Sequence, residues 1–258
     1  MDKELAKKVA IDSAKAAGKL ILENLNKVKS CSFKAKSDIV TEIDIQAEKI
    51  IMDIIKTNFP AHSIHSEETG FIDNKSPYLW VIDPIDGTMN YYHRMSPFRV
   101  AICLVENNLP IITAIYNPVK DNLYFAEKGK GAFLNNKRIN VNSNFELKKS
   151  VVMTHISSKK EARARTITAL GNIFNKTLHM RILGSGIAAM TYIAEGKFDV
   201  FFNVATHPWD ILPGALLVEE AGGIVTDIQG KKIDLKSTSI LVSNGTVHSD
   251  ILKLLEDI

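Results

Sequence analysis

At 258 residues the chain is long enough to bury about three quarters of its unfolded surface, as one large domain or as two modest ones sharing a core. A formal charge of +3, with lysines spread along the chain, argues against a nucleic-acid-binding block, and no run approaches the about 20 apolar residues that span a bilayer. Cys31 and Cys103 sit in no CxxC or Cys/His pattern, so neither a zinc site nor a disulfide framework is expected and a reducing cytoplasm fits.

The first segment, MDKELAKKVAIDSAKAAGKLIL, is charged throughout and reads as an amphipathic helix, with Leu5, Val9, Ala16, Leu20 and Ile21 at helical spacing; a signal peptide would need an unbroken apolar stretch. Ile50, Ile51, Ile54 and Ile55 mark a second helix ending near Asn58-Phe59-Pro60. From Leu79 the texture turns to β-rich runs separated by Asn, Pro and Gly, which predicts a mostly antiparallel sheet. After about Ser150 strands and helices alternate, which predicts an α/β half.

Chemistry concentrates in LWVIDPIDGTMNYYH, where a buried apolar strand runs into Asp83-Pro84-Ile85-Asp86-Gly87-Thr88. If a helix starts at Gly87-Thr88, its first N–H groups form an anion site beside two carboxylates. Phosphate beside carboxylates is repelled unless divalent cations lie between them, and magnesium suits that arrangement. Taken alone, Asp83 and Asp86 are equally well explained as turn formers. Asp210, in Thr206-His207-Pro208-Trp209-Asp210, can likewise be a first-turn aspartate complementing a helix dipole. Glu67 and Glu68 can be a solvated loop, while Thr41 and Asp44 match a capping box. His207 reads as a loop residue near the site, and Phe198, Phe201 and Phe202 as core. Gly222-Gly223 reads as a helix exit packed against a strand. Gly184-Ser185-Gly186 lacks the GxSxG spacing of a serine hydrolase.

The separate blocks KSDIVTEID, HSEETG, WVIDPIDGTMNYYH, RILGSGIAAMTYIAEGKFDVFF and HPWDILPGALLVEEAGG occur in one order over nearly the whole chain. Together they resemble the inositol monophosphatase family of magnesium-dependent, lithium-sensitive phosphatases. The resemblance implies an α+β and α/β fold, a layered αβαβα sandwich. Residues 1–150 would form an α+β half with most metal ligands, and 151–258 an α/β half with Asp210 and the substrate pocket.

Carried onto this chain, the resemblance implies that Glu67, Asp83 and the Ile85 carbonyl hold one magnesium and that Asp83, Asp86 and Asp210 hold a second. A third, mostly water-ligated ion would lie near Glu67, and manganese is the alternative metal. Asp44 and Thr88, with Glu67 beside them, match the catalytic positions that prepare the attacking water. Asp86 and the Gly87 and Thr88 amides would meet the phosphate, while Gly184, Ser185, Gly186 and Asn203 would line the substrate pocket. At the place of Asn203 the family usually carries a glutamate.

The implied reaction is in-line hydrolysis of inositol 1-phosphate or a related polyol phosphate. Related activities on fructose 1,6-bisphosphate or adenosine 3′,5′-bisphosphate are alternatives, as is a regulatory role on transcription machinery, although nothing in the sequence indicates nucleic acid. A cytoplasmic homodimer with no membrane attachment and a small phosphorylated substrate is expected.

Overall fold

Both opening apolar stripes fold as helices, α1 (Lys3–Asn24) and α2 (Glu42–Asn58), with the short antiparallel pair β1 (Ser32–Ala35) and β2 (Asp38–Val40) between them. The structure, a computed structural model, describes residues 1–27, 31–35, 38–144, 146–157, 159–256 and 258, so Lys36 and Ser37 of the KSDIVTEID block lie outside the described residues.

The predicted antiparallel sheet has eight strands: β3 (Ser63–Ser66), β4 (Gly70–Ile72), β5 (Tyr78–Asp86), β6 (Arg99–Glu106), β7 (Leu109–Asn117), β8 (Asn122–Glu127), β9 (Gly131–Leu134) and β10 (Lys137–Ile139). Their order is β10-β9-β8-β7-β6-β5-β3-β4, and β3 with β5 is the parallel pair. A short helix, α3 (Thr88–Tyr92), follows β5.

From Val151 onward the alternation appears as β11 (Val151–Thr154), α4 (Lys160–Phe174), β12 (His179–Ile182), α5 (Gly186–Ala194), β13 (Val200–Asn203), α6 (Pro208–Glu220), β14 (Ile224–Thr226), β15 (Ile240–Ser243) and α7 (His248–Leu255). The second sheet runs β12-β11-β13-β15-β14, with β12, β11 and β13 parallel.

Period-two alternation builds the layers. On β5, Trp80 and Ile82 point into the core under α1 and α2, while Leu79 and Val81 point into a second core shared with α5 and α6. On β13, Phe201 joins that same second core, whereas Val200 and Phe202 face α4 and α7. Helices, large sheet, helices, small sheet and helices therefore stack in five layers, the αβαβα sandwich. Phe201 and Phe202 are buried on opposite faces of β13, and Phe198 packs against the core that holds Phe201, as core residues should. A side chain at Gly223 would strike the Ser243 carbonyl at 2.5 Å, so this close approach of the α6 exit to β15 requires glycine. Among the described residues no helix is long and apolar enough to cross a membrane.

Candidate active site

The C-terminal ends of β3, β5, β11 and β13 and the N-termini of α5 and α6 open onto one cleft of about 520 Å³. Ligand sites in α/β sheets gather at such carboxyl ends. Residues three apart on an unbroken strand project to opposite faces, so Asp83 and Asp86 should not meet. The register shows how they do. β5 pairs with β6 through Asp83↔Ala101, and the next pair is Asp86↔Arg99, so three steps on β5 span two on β6. This bulge contains Pro84, which has no N–H to offer the ladder, and it re-aims the strand. Ligand oxygens of Asp83, Asp86 and Asp210 consequently lie within 4.8 Å of one another.

Asp86 is held from the other half of the chain. Its carboxylate accepts from the Ser185 hydroxyl, from Gly186 N at 3.2 Å and from Ile187 N at 3.0 Å, at the start of α5. Ser185 itself is buried and caps α5 through Ala188 N at 3.1 Å, so its hydroxyl serves Asp86 and the helix; Gly184 and Gly186 line the cleft beside it. Gly87 has φ +93°, and a Cβ there would lie 3.2 Å from the Pro97 carbonyl and from Ser185 Cβ, so only glycine lets the two halves close. Asn90, which sequence reasoning missed, clamps the same junction by donating to Pro97 O at 2.7 Å and Leu183 O at 2.8 Å.

Asp44 links the start of α2 to the cleft. One oxygen closes the capping box of α2 with Thr41, accepting from Thr41 N at 2.9 Å, and the other accepts from the Thr88 hydroxyl at 2.9 Å. Thr88 Oγ1 also lies 3.0 Å from the Ile85 carbonyl, which places that carbonyl at the cleft floor with Asp83 and Asp86.

Glu67 follows β3 and lines the cleft outside the tight group of three; its N–H is tied to Ile82 O at 3.2 Å. The loop carrying it is fixed by buried Glu48 of α2. That carboxylate accepts from Glu68 N at 2.8 Å, Thr69 N at 2.9 Å and the Thr69 hydroxyl. Glu48 went unnoticed in the sequence because a buried glutamate on a helix looks like any exposed one until its partners, about 20 residues away, are folded against it.

Asp210 stands in the first turn of α6, after Pro208 at the start of the helix, and accepts from His207 N at 3.0 Å and Thr206 Oγ1 at 2.9 Å. Its position as a helix-start aspartate and its membership of the acidic cluster coexist. The His207 ring stacks on Trp209 at 4.7 Å, and His65 meets Trp209 edge-on at 5.1 Å, joining β3 to α6 beside the cluster. Burial first, then the charge of His207, pulls the His65 pKa down.

Electrostatically the cluster is uncomfortable as it stands. Burial, then the neighbouring Glu67, Asp86 and Asp210 carboxylates, push the Asp83 pKa well above the usual range. Burial raises Asp86 to about 6, with the Ser185 hydrogen bond opposing it. Asp83 Oδ1 is buried without a hydrogen-bond partner. An orphaned carboxylate oxygen facing three other carboxylates is what a hard divalent cation with oxygen ligands would satisfy, so the residues fit a metal.

Comparison with known proteins agrees with this geometry. The model of the inositol monophosphatase family matches residues 2–258. The chain is 36% identical to the fructose-1,6-bisphosphatase/inositol-1-monophosphatase of Thermotoga maritima, over 90% of this chain and 87% of that one. It is 34% identical to the Nus factor SuhB of Escherichia coli strain K12, over 96% and 95% of the two chains. Its fold superposes on the solved IMPase of Thermotoga maritima with a TM-score of 0.89 at 34% identity, covering 100% of this chain and 98% of that one. The bulged acidic strand, the clustered carboxylates and the full-length match lead to one assignment: the chain belongs to the inositol monophosphatase family and is, as such, a phosphoric monoester hydrolase.

Proposed function

We propose that this protein is a magnesium-dependent phosphatase of small polyol or sugar phosphates, with Glu67, Asp83, the Ile85 carbonyl, Asp86 and Asp210 as ligands. The observation that carries the reading is the unpartnered, buried Oδ1 of Asp83 within a cluster of carboxylates on an open cleft. All proposed donors are oxygens, which favours magnesium, or manganese in its place, over zinc. Bound cations of this kind neutralise a phosphate dianion and lower the pKa of water.

The residues around the cluster supply the rest. Thr88 has one hydroxyl proton, and giving it to Asp44 Oδ1 leaves an oxygen lone pair at the cleft to accept a proton from the attacking water. The Gly87–Thr88 turn opens α3 beside that position, so its amides are the proposed phosphate donors. No protein nucleophile is needed, since Ser185 is committed to Asp86. Inositol 1-phosphate is a proposed substrate, with the third, weaker metal site near Glu67 and lithium inhibition following from the family.

Phosphate release by purified protein, measured across inositol, sugar and nucleoside phosphates with and without magnesium, tests the reading; no release from any of them overturns it. Similarity to the Nus factor SuhB supports a second, compatible role in transcription, which recovery of RNA polymerase with the tagged protein would test. A cytoplasmic homodimer is the proposed working form, checked by sedimentation.

A further inference from the structure

A buried cation stands behind the acidic cluster. On β6, Ala101, Cys103 and Val105 fill the core shared with α5 and α6, and Arg99, two steps before Ala101, takes the same face of the strand. It is 0% exposed. Across the ladder Arg99 is the register partner of Asp86, at the end of the bulge that gathers the carboxylates.

The guanidinium has little to hold. Nη1 donates to Phe98 O at 2.8 Å, Nε and Nη2 are buried without a hydrogen-bond partner, and the group lies 5.6 Å from the centre of the Tyr192 ring on α5. The Asp86 carboxylate is already taken by Ser185 and the Gly186 and Ile187 amides. The first carboxylate along α5, Glu195, accepts from Tyr124 Oη at 2.7 Å and pairs with Lys197. Burial raises the Asp86 pKa, and the Arg99 charge is among the influences that oppose it, so the charge reaches the cluster without a hydrogen bond. Guanidinium does not shed its proton inside a protein, so its burial here is a standing cost that an apolar side chain of similar length would avoid.

Four carboxylates at an empty site need some positive charge, and Arg99 is a permanent source of it within the fold. Attraction to those carboxylates implies repulsion of any cation placed among them, and a divalent ion feels it twice over. We infer that Arg99 is a positioning residue that acts on the metal site through its charge, a fixed countercharge that stabilises the empty cluster and loosens its hold on a divalent cation. The bound metal is thereby kept exchangeable. This inference rests on the metal-dependent reading above.

The test is manganese binding by the full-length protein, freed of metal and followed by calorimetry. Arg99→Met keeps length and apolar bulk; it should lower the manganese Kd by about tenfold or more and lower the Tm of the metal-free protein. The rise in Tm on adding metal should grow accordingly. Arg99→Gln, the second neutral variant, should move both quantities the same way, whereas Arg99→Lys keeps the charge and should stay within about threefold of the wild-type Kd. Neutral variants that bind manganese no better than wild type, or that melt higher without it, overturn the countercharge. Lysine behaving like methionine overturns it too, since shape and not charge would then decide. Neutral variants that fold only with manganese present support the inference, and failure to fold with or without it assigns Arg99 to packing and overturns it. A wild type that binds no manganese overturns the metal reading of the cluster as well.

Discussion

The two ends of the cleft are built by different means. At the acidic end, position is dictated by backbone: a bulge turns Asp83 and Asp86 to one side, and helix-start amides hold Asp86 and Asp210. At the other end the wall is made by side chains, Lys159 and Arg163 on α4 and Asn203 on β13. Backbone devices tolerate little substitution without refolding, whereas a helix face can exchange charges freely. On the proposed function, reaction chemistry belongs to the first end and substrate choice to the second. Changes at the acidic end should therefore cut turnover of every substrate alike, and changes at the far wall should alter ratios between substrates.

The largest expected effect is total. Exhaustive chelation should abolish phosphate release from every substrate and magnesium should restore it; undiminished turnover would end the metal reading. Next comes Asp83→Asn, with a loss of more than about a hundredfold at saturating magnesium. The same substitution should raise the Tm of the metal-free protein by at least about 3 °C, because it removes a carboxyl whose ionisation is opposed by burial and by three neighbouring carboxylates.

A pH profile sharpens this. An aspartate whose pKa is raised on folding binds more protons folded than unfolded between the two values, so the metal-free protein loses stability as pH rises from about 4 to about 6. For Asp86 the linkage amounts to about 3 kcal/mol, an order-of-magnitude figure. Metal should reverse the slope, since it binds the deprotonated ligands. A flat melting profile over that range would mean that burial beside Asp210 does not raise the Asp86 pKa on folding.

Thr88→Ala and Asp44→Asn should lower kcat about a hundredfold while the magnesium concentration for half-activity hardly moves. Asp44 is also the cap of α2, so Thr41→Ala is the control: it removes the cap, at a cost of about 1 kcal/mol, and leaves the Thr88–Asp44 contact. If Thr41→Ala slows turnover as much as Thr88→Ala does, Asp44 acts through the helix alone. Glu48→Gln should raise the magnesium requirement about tenfold by loosening the loop that carries Glu67. An unchanged requirement would show that Glu67 is positioned without it.

Much of this was legible beforehand. Two opening helices, an antiparallel sheet and an α/β half follow from periodicity, and Thr41 with Asp44 announces its capping box. Asp83-Pro84-Ile85-Asp86 flagged two carboxylates and a turn. What the residues could not display was the register shift that brings those carboxylates together, because a bulge is a relation between two strands. The hold of Ser185 on Asp86 and the clamp made by Asn90 escaped for a related reason: the partners, Asp86 and the Leu183 carbonyl, lie about 100 residues away. Lys159 and Arg163 were not singled out in the sequence, because nothing there shows which side of α4 faces the cleft.

The smallest expected effect is also the most direct probe of the far wall. Asn203 is buried at the end of β13, on the same side of the strand as Phe201, and its amide oxygen accepts from Ala205 N at 3.3 Å. A carboxylate in its place would be acceptor-only, matched to substrate hydroxyls and repelled by a second phosphate, whereas the amide both donates and accepts. Hydrogen bonds involving a charge contribute about 1.5–3 kcal/mol against about 0.5–1.5 for neutral ones, a difference of roughly tenfold in binding. Asn203→Glu should therefore improve kcat/KM for inositol 1-phosphate by up to about tenfold and lower it for fructose 1,6-bisphosphate. The wild type, by the same argument, should handle inositol 1-phosphate with a poor KM and accept a broad range of competitors. If the substitution shifts both substrates in the same direction and by the same factor, Asn203 supports the strand and does not read the substrate, and selectivity then rests on α4 alone.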